Sequence, residues 1–226
     1  MENLGSTNGM LNVQKAINII VSKATSLQEE TILLKNSLGR ICSNDIYANI
    51  NSPPENVSSM DGYALKYSNL KNINKIPIKI VGESAAGNPY TKKLNNYECV
   101  EIYTGAEVPK GANLILLQER AIINNNHIVS TNQNYKKEQY VRKKSSNFKI
   151  NSLIIRKNSL ITSRALGLAI SSNHTKIHVY KKPNIAILAT GNELKNPNKH
   201  LSNAIISSNT PLLISLIKSF GGNAHD

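Results

Sequence analysis

The sequence contains no tryptophan, two phenylalanines and two cysteines among 226 residues. With so little aromatic surface it offers scant area on which unpaired bases could stack. Cys42 and Cys99 stand alone, without CxxC or metal-finger spacing, which argues against a disulfide framework or a cysteine-held metal. Their apolar neighbours predict two reduced, buried thiols of a cytosolic protein. No apolar run approaches 18 residues, so no transmembrane helix is expected. Residues 1–9 have neither a basic n-region nor an apolar h-region, and a secretory signal is not expected either. Acidic residues are scarce as well: 14 Asp and Glu stand against 27 Lys and Arg, a formal net charge of +13. The surplus is spread thinly, as lysine pairs at 92–93, 136–137, 143–144 and 181–182, beside asparagine at about one residue in seven. That is the composition of solvated positions rather than of a nucleic-acid stripe, though it favours anionic ligands in general.

What is present is a soluble-type chain, 40% hydrophobic, with room for one large or two small domains. Val13, Ala16, Ile17, Ile20, Val21 and Ala24 recur at helical spacing and predict an amphipathic helix over 12–25. A short strand at 31–34, a helical turn closed by Gly39 and an extended stretch at 40–48 follow. Residues 51–140 read as all-β, with strands at 76–81, 99–103, 114–117, 121–123 and 127–129. Asn124, Asn125 and Asn126 make the last two a hairpin. Short, closely spaced strands suggest a small barrel or sandwich.

Val141 and Arg142 lead out of this module to a strand at 153–155. A helix follows over 163–172, capped by Thr162 and burying Ala165, Leu166, Ala169 and Ile170, then a strand at 175–180. The run 184–189 is continuously apolar, as in a parallel strand buried on both faces. It leads into Thr190, Gly191 and Glu193. A polar loop precedes a helix opened by Thr210 as N-cap and Pro211, and stopped by Gly221 and Gly222. One strand and one helix cannot bury such a strand on both faces. The expectation is a truncated sheet, or one completed from elsewhere.

Two polar turns carry the candidate chemistry: Ser58-Ser59-Met60-Asp61-Gly62-Tyr63-Ala64 and Thr104-Gly105-Ala106. They lie in order with Leu38-Gly39-Arg40, Pro53-Pro54, Ala86-Gly87-Asn88-Pro89, Val108-Pro109, Gln118-Glu119, Val141-Arg142, Ala189-Thr190-Gly191-Asn192-Glu193-Leu194 and Ser208-Asn209. From about residue 10 onward this series resembles the N-terminal half of the molybdopterin molybdenumtransferase (MoeA) family, to which the gephyrin E domain is related.

The resemblance implies a multidomain α+β protein of molybdenum cofactor biosynthesis. In that family molybdate is inserted into adenylylated molybdopterin with release of AMP and with a divalent cation, usually Mg2+. It implies a discontinuous α/β first domain at 1–47 and 141–180, with the helix at 12–25 as a candidate to pack on the α/β domain. A small β-barrel-like domain is inserted at 48–140, and a truncated molybdopterin-binding α/β domain begins at 181–226. Partners implied are a second copy in a homodimer, the two substrates and, as a candidate, the molybdopterin adenylyltransferase; no nucleic acid or membrane is implied, and the location is cytoplasmic.

Asp61, Thr104 and Glu193 then match cleft residues with catalytic roles. Asp61 and Glu193 are also the cation ligands, carboxylate oxygen being the hard donor that Mg2+ takes. Thr190, Gly191, Gly105 and Asn209 match substrate-binding positions, with the Thr104 hydroxyl and Gly105 amide as donors to an oxyanion. Arg142 matches the family's Val-Arg motif, its role open. Asn147 stands where the family often has Asp, which places any cation or proton role there in doubt. The family's Ser-Gly-Gly-type pterin loop, the Asp that follows it and its fourth domain have no counterpart in these 226 residues. The expected chain is therefore an N-terminal portion inactive by itself; the alternative is a non-catalytic interaction or scaffold module of the same family.

Overall fold

The computed structural model describes residues 11–131, 134–195, 197 and 205–226. The fold is mixed α+β. From the amino end the elements are α1 (Val13–Lys23), β1 (Glu29–Leu33), β2 (Ile46–Tyr47), β3 (Val57–Ser58), β4 (Gly62–Leu65), β5 (Ile78–Ser84), β6 (Glu98–Ile102) and β7 (Leu114–Leu117). They continue with β8 (Ala121–Asn124), β9 (His127–Thr131), β10 (Val141–Arg142), β11 (Leu153–Ile155), α2 (Ser163–Ser171) and β12 (Lys176–Tyr180). The last are β13 (Asn184–Ala186), β14 (Leu194–Lys195), β15 (Ile205–Ile206), α3 (Asn209–Ser219) and β16 (Asn223–His225). Internal contacts divide the chain into two compact units. One comprises residues up to 44, 157–162 and 176–226; the other comprises 45–156 and 163–175.

In the second unit six strands form one sheet in the order β7-β4-β6-β5-β9-β8. β5 and β6 pair in parallel, and the other neighbours pair antiparallel. Every residue of β4 and of β7 is buried. Alternate side chains feed two cores: Tyr63, Leu65, Cys99, Leu114 and Leu116 pack in one, Ala64, Val100, Ile102 and Ile115 in the other. Burial on both faces removes the in-out alternation that marks a one-sided strand. β4 corrects the sequence reading, which treats 58–64 as turn. Its second half is a central strand, and Gly62 is there because β7 leaves no room for a side chain.

The asparagine hairpin forms as expected. Asn124 pairs with His127, and Asn125 and Asn126 have φ of 45° and 62°, the double positive φ of a tight two-residue turn. Asn151, Asn158 and Asn173 also adopt positive φ. Both cysteines are buried and neither forms a disulfide, and burial pushes the Cys99 thiol up to about 12. Around the sheet, β10 pairs with β3 and β11 with β2. α2 packs on β11 with Ala169 buried, whereas Ile170, expected on the same side, is 54% exposed.

In the first unit β1 pairs antiparallel with β12. The extended stretch after Gly39 joins them through bridges from Ile41 to Leu160 and from Cys42 to Val179. The Arg40 guanidinium donates to Glu30 at 2.5 Å and to the Tyr180 carbonyl at 2.7 Å, tying the two strands together. α1 is capped by the Asn12 side chain and buries no residue.

β13 and β16 run parallel, joined through α3. The run 184–189 has the apolar character of a strand buried on both faces, yet β13 is exposed throughout, and Leu188 and Phe220 are each 87% exposed. This is in keeping with the expectation that one strand and one helix cannot cover it. A two-stranded parallel sheet with one helix has too few neighbours to cover its faces. α3 begins at Asn209 with Ser208 as N-cap residue; Thr210, expected as the cap, lies inside the first turn. The polar loop expected after Leu194 falls largely outside the described residues.

Candidate functional site

The register of β4 against β6 sets Gly62 opposite Ile102, so the residues just outside the pair, Asp61 and Thr104, meet at the sheet end. Asp61 Oδ1 accepts from the Thr104 amide at 2.7 Å and from the Thr104 hydroxyl at 2.8 Å. The loop beneath is held from several sides. Ser58 Oγ donates to the Met60 carbonyl at 2.5 Å and Ser59 Oγ to the Tyr140 carbonyl at 2.9 Å. The Gly105 amide donates to the Ser58 carbonyl at 2.8 Å.

This geometry corrects the donor roles expected of the second turn. Thr104 presents both donors to Asp61, and the Gly105 amide is engaged by backbone. Thr104 is thus the clamp on the carboxylate, and among the described residues no donor reaches Asp61 Oδ2. The corner is exposed.

The two Thr104 bonds, the amide first and the hydroxyl second, hold the Asp61 carboxyl below the ordinary carboxylate range. A carboxyl lowered on folding contributes stability above its unfolded pKa, and that contribution is lost as pH falls through its folded value. Following Asp61 by NMR should therefore show titration below unperturbed aspartate. Thr104→Val should move it upward and Thr104→Ser should not, because only the first removes the hydroxyl donor. A wild-type midpoint at or above the ordinary value would contradict the clamp.

The other unit carries the remaining candidates. Gly191 has φ +145°, and a Cβ on it would lie 2.8 Å from Glu193 Cδ. The Glu193 carboxylate folds back onto the glycine, whose φ is one that residues with a side chain rarely adopt. Thr190 and Asn209 line a pocket of about 330 Å3 at the opening of α3. Gly191 lines one of about 440 Å3 with Lys195 and Thr210. A helix N-terminus beside hydroxyls suits a phosphate. The seven candidates thus form two sets: Asp61, Thr104 and Gly105 in one unit, Thr190, Gly191, Glu193 and Asn209 in the other.

Arg142, whose role the sequence leaves open, has a defined setting. It lines a groove of about 540 Å3 with Pro53, Pro54, Gly87, Pro89 and Gly105. Four motifs far apart in the chain converge there. Their shared content of small and proline residues is the signal that could have grouped them; their separation in the sequence hid it.

Among the described residues no three His, Cys, Asp or Glu side chains gather as a metal cage. Mg2+ needs less, since one or two carboxylates with water and substrate phosphates suffice. Asp61 Oδ2, on a carboxylate already held by its other oxygen, fits that need.

The family model of the MoeA N-terminal region (domain I and II) matches residues 11–172. The chain belongs to this family. It is 28% identical over 190 residues to a molybdopterin molybdenumtransferase of Haemophilus influenzae, covering 84% of this chain and 46% of that protein. It is 28% identical over 213 residues to one of Staphylococcus aureus (strain Mu50), covering 92% and 51%. The chain therefore spans about half the length of these relatives. A solved molybdopterin biosynthesis MoeA protein of Pyrococcus horikoshii is similar with TM-score 0.82 and 27% identity, covering 96% of this chain and 56% of that one. A second, also with TM-score 0.82, is 20% identical and covers 94% and 57%. Among the described residues no helix is long and apolar enough to cross a membrane.

Proposed function

We propose that this chain is the N-terminal part of a molybdopterin molybdenumtransferase, acting in molybdenum cofactor biosynthesis to insert molybdate into adenylylated molybdopterin with release of AMP. The observation that carries the reading is the Asp61–Thr104 clamp, an exposed carboxylate with one oxygen fixed and the other open, in a chain of the MoeA family. Its three-part organisation is the discontinuous first domain, the inserted β domain and the opening of a molybdopterin-binding domain, working as a homodimer in the cytoplasm. The molybdopterin adenylyltransferase is the class of enzyme that would hand over its substrate.

In this reading Thr104 orients Asp61, and Asp61 presents Oδ2 to the reacting end of the substrate. Glu193 supplies a second carboxylate. Thr190 and Asn209, beside the start of α3, bind the substrate phosphate through hydroxyl, side-chain amide and helix amides. In the homodimer Asp61 of one copy and Glu193 of the other would hold Mg2+, which when bound neutralises phosphate charge. The two pockets near α3 sit on an exposed apolar surface, so the phosphate half of the site is open in the isolated chain.

The expected result is that the purified chain alone neither binds adenylylated molybdopterin tightly nor releases AMP on addition of molybdate and Mg2+. Isothermal titration and AMP quantification check this. Tight binding of adenylylated molybdopterin, or turnover, by the isolated chain would overturn the assignment of half a site.

A further inference from the structure

We propose that the groove at Arg142 is a subsite for a tetrahedral oxyanion, with the Arg142 guanidinium as its recognition group; this deepens the transferase reading and rests on it. The groove holds about 540 Å3, ample for one such anion with part of a larger ligand. Arg142 donates from Nη2 to Asn147 Oδ1 at 2.5 Å and, at the long distance of 3.4 Å, from Nε to Ser146 Oγ. Both acceptors are neutral. Asn147 is itself pinned to Ser52, its amide side chain donating to Ser52 Oγ at 3.0 Å and its backbone N–H to the Ser52 carbonyl at 2.9 Å. The contact therefore orients the guanidinium without cancelling its charge.

The other charges lining the groove are two carboxylates. Glu55 is paired with Lys144 at 2.7 Å, and Glu107 makes no ion pair with Arg142 among the described residues. Of the five guanidinium donors, two are engaged, and the remaining ones can meet two oxygens of one anion side by side. Pro53, Pro54 and Pro89 present apolar walls that weaken competing hydration and strengthen the charge contact. Gly105 lines the same groove and follows Thr104 in sequence.

Two sources share this chemistry: free molybdate, and the pyrophosphate link of an adenylylated substrate. The experiment titrates the whole chain with molybdate and, separately, with inorganic pyrophosphate, by calorimetry at fixed moderate ionic strength. Saturable binding of at least one is expected. Arg142→Gln should weaken it by about tenfold or more, the loss of a charge-assisted contact. Asn147→Asp should weaken it too, by placing a carboxylate against the guanidinium while leaving Arg142 present. Lys92→Gln, which removes the same charge at an exposed site elsewhere, should change nothing.

Preference for molybdate assigns the subsite to the free oxyanion, and preference for pyrophosphate assigns it to the nucleotide link. Equal weakening by all three variants would mean diffuse attraction to a basic surface and would overturn the proposal. So would unaltered binding in both groove variants, or no binding at all. Loss of oxyanion binding in Arg142→Gln with full molybdate insertion by the assembled enzyme would leave the subsite standing and remove the transferase reading from it.

Discussion

Gly62→Ala is expected to lower the stability of the six-stranded unit by about 3 kcal/mol or more, at the upper end of overpacking costs. The substitution adds one methyl group. An ideal Cβ at position 62 would drive into the Leu116 carbonyl oxygen, 2.9 Å from the carbonyl carbon and 3.1 Å from the Gln118 nitrogen. All three are backbone atoms, so no side chain can swing aside. β4 lies between β6 and β7, and a shift of β4 away from β7 would break the pairing of Gly62, Tyr63, Ala64 and Leu65 with Leu117, Leu116, Ile115 and Leu114. Urea unfolding checks the prediction. Gly167→Ala is the internal control: it lies within α2, has nothing within 4 Å of its added Cβ, and should stabilise by roughly 0.5–1 kcal/mol. If the two variants unfold alike, close approach of β4 and β7 is not what position 62 enforces.

The second large effect concerns chemistry. Asp61→Asn in the assembled enzyme should reduce molybdate insertion by on the order of 100-fold, as expected when one preorganised charged group is lost from a reacting site. Asparagine keeps an oxygen that can accept both Thr104 donors, so the loop stays where it is and the charge alone is removed. The stability change should be small, as for exposed residues without a packing role. AMP release and a urea transition measured on the same variant separate the two readouts. A variant that unfolds would make Asp61 a structural residue. A variant that remains folded and fully active would remove it from the reaction.

Much of the fold is legible in the sequence where local rules apply. The asparagine hairpin, the turn at Gly39 and the strands ending at Ile102 and Leu117 all follow from turn chemistry and runs of β-forming residues. β4 escapes because Gly62 and Ala64 are poor strand formers, and because burial on both faces erases alternation. β16 escapes because three residues carry little pattern, and its pairing with β13 is a long-range matter. At the site, Asp61 and Thr104 stand out separately, each in a polar turn. Their mutual bond depends on the register of β4 against β6 across a separation of 43 positions, which no local window contains. The groove at Arg142 is hidden for the same reason, since its walls come from segments as far as 95 positions apart, Ser52 to Asn147.

Of the nine non-glycine residues with positive φ among the described residues, five are asparagines: Asn125, Asn126, Asn151, Asn158 and Asn173. Asparagine tolerates the left-handed region better than other residues that carry a side chain. The residue type that looks like mere compositional drift is therefore also a hinge of the architecture. At these five sites exchange with glycine runs along a near-neutral evolutionary path, whereas replacement by a β-branched residue closes it. A chain drifting toward asparagine can keep its turns while much of its surface identity changes around them.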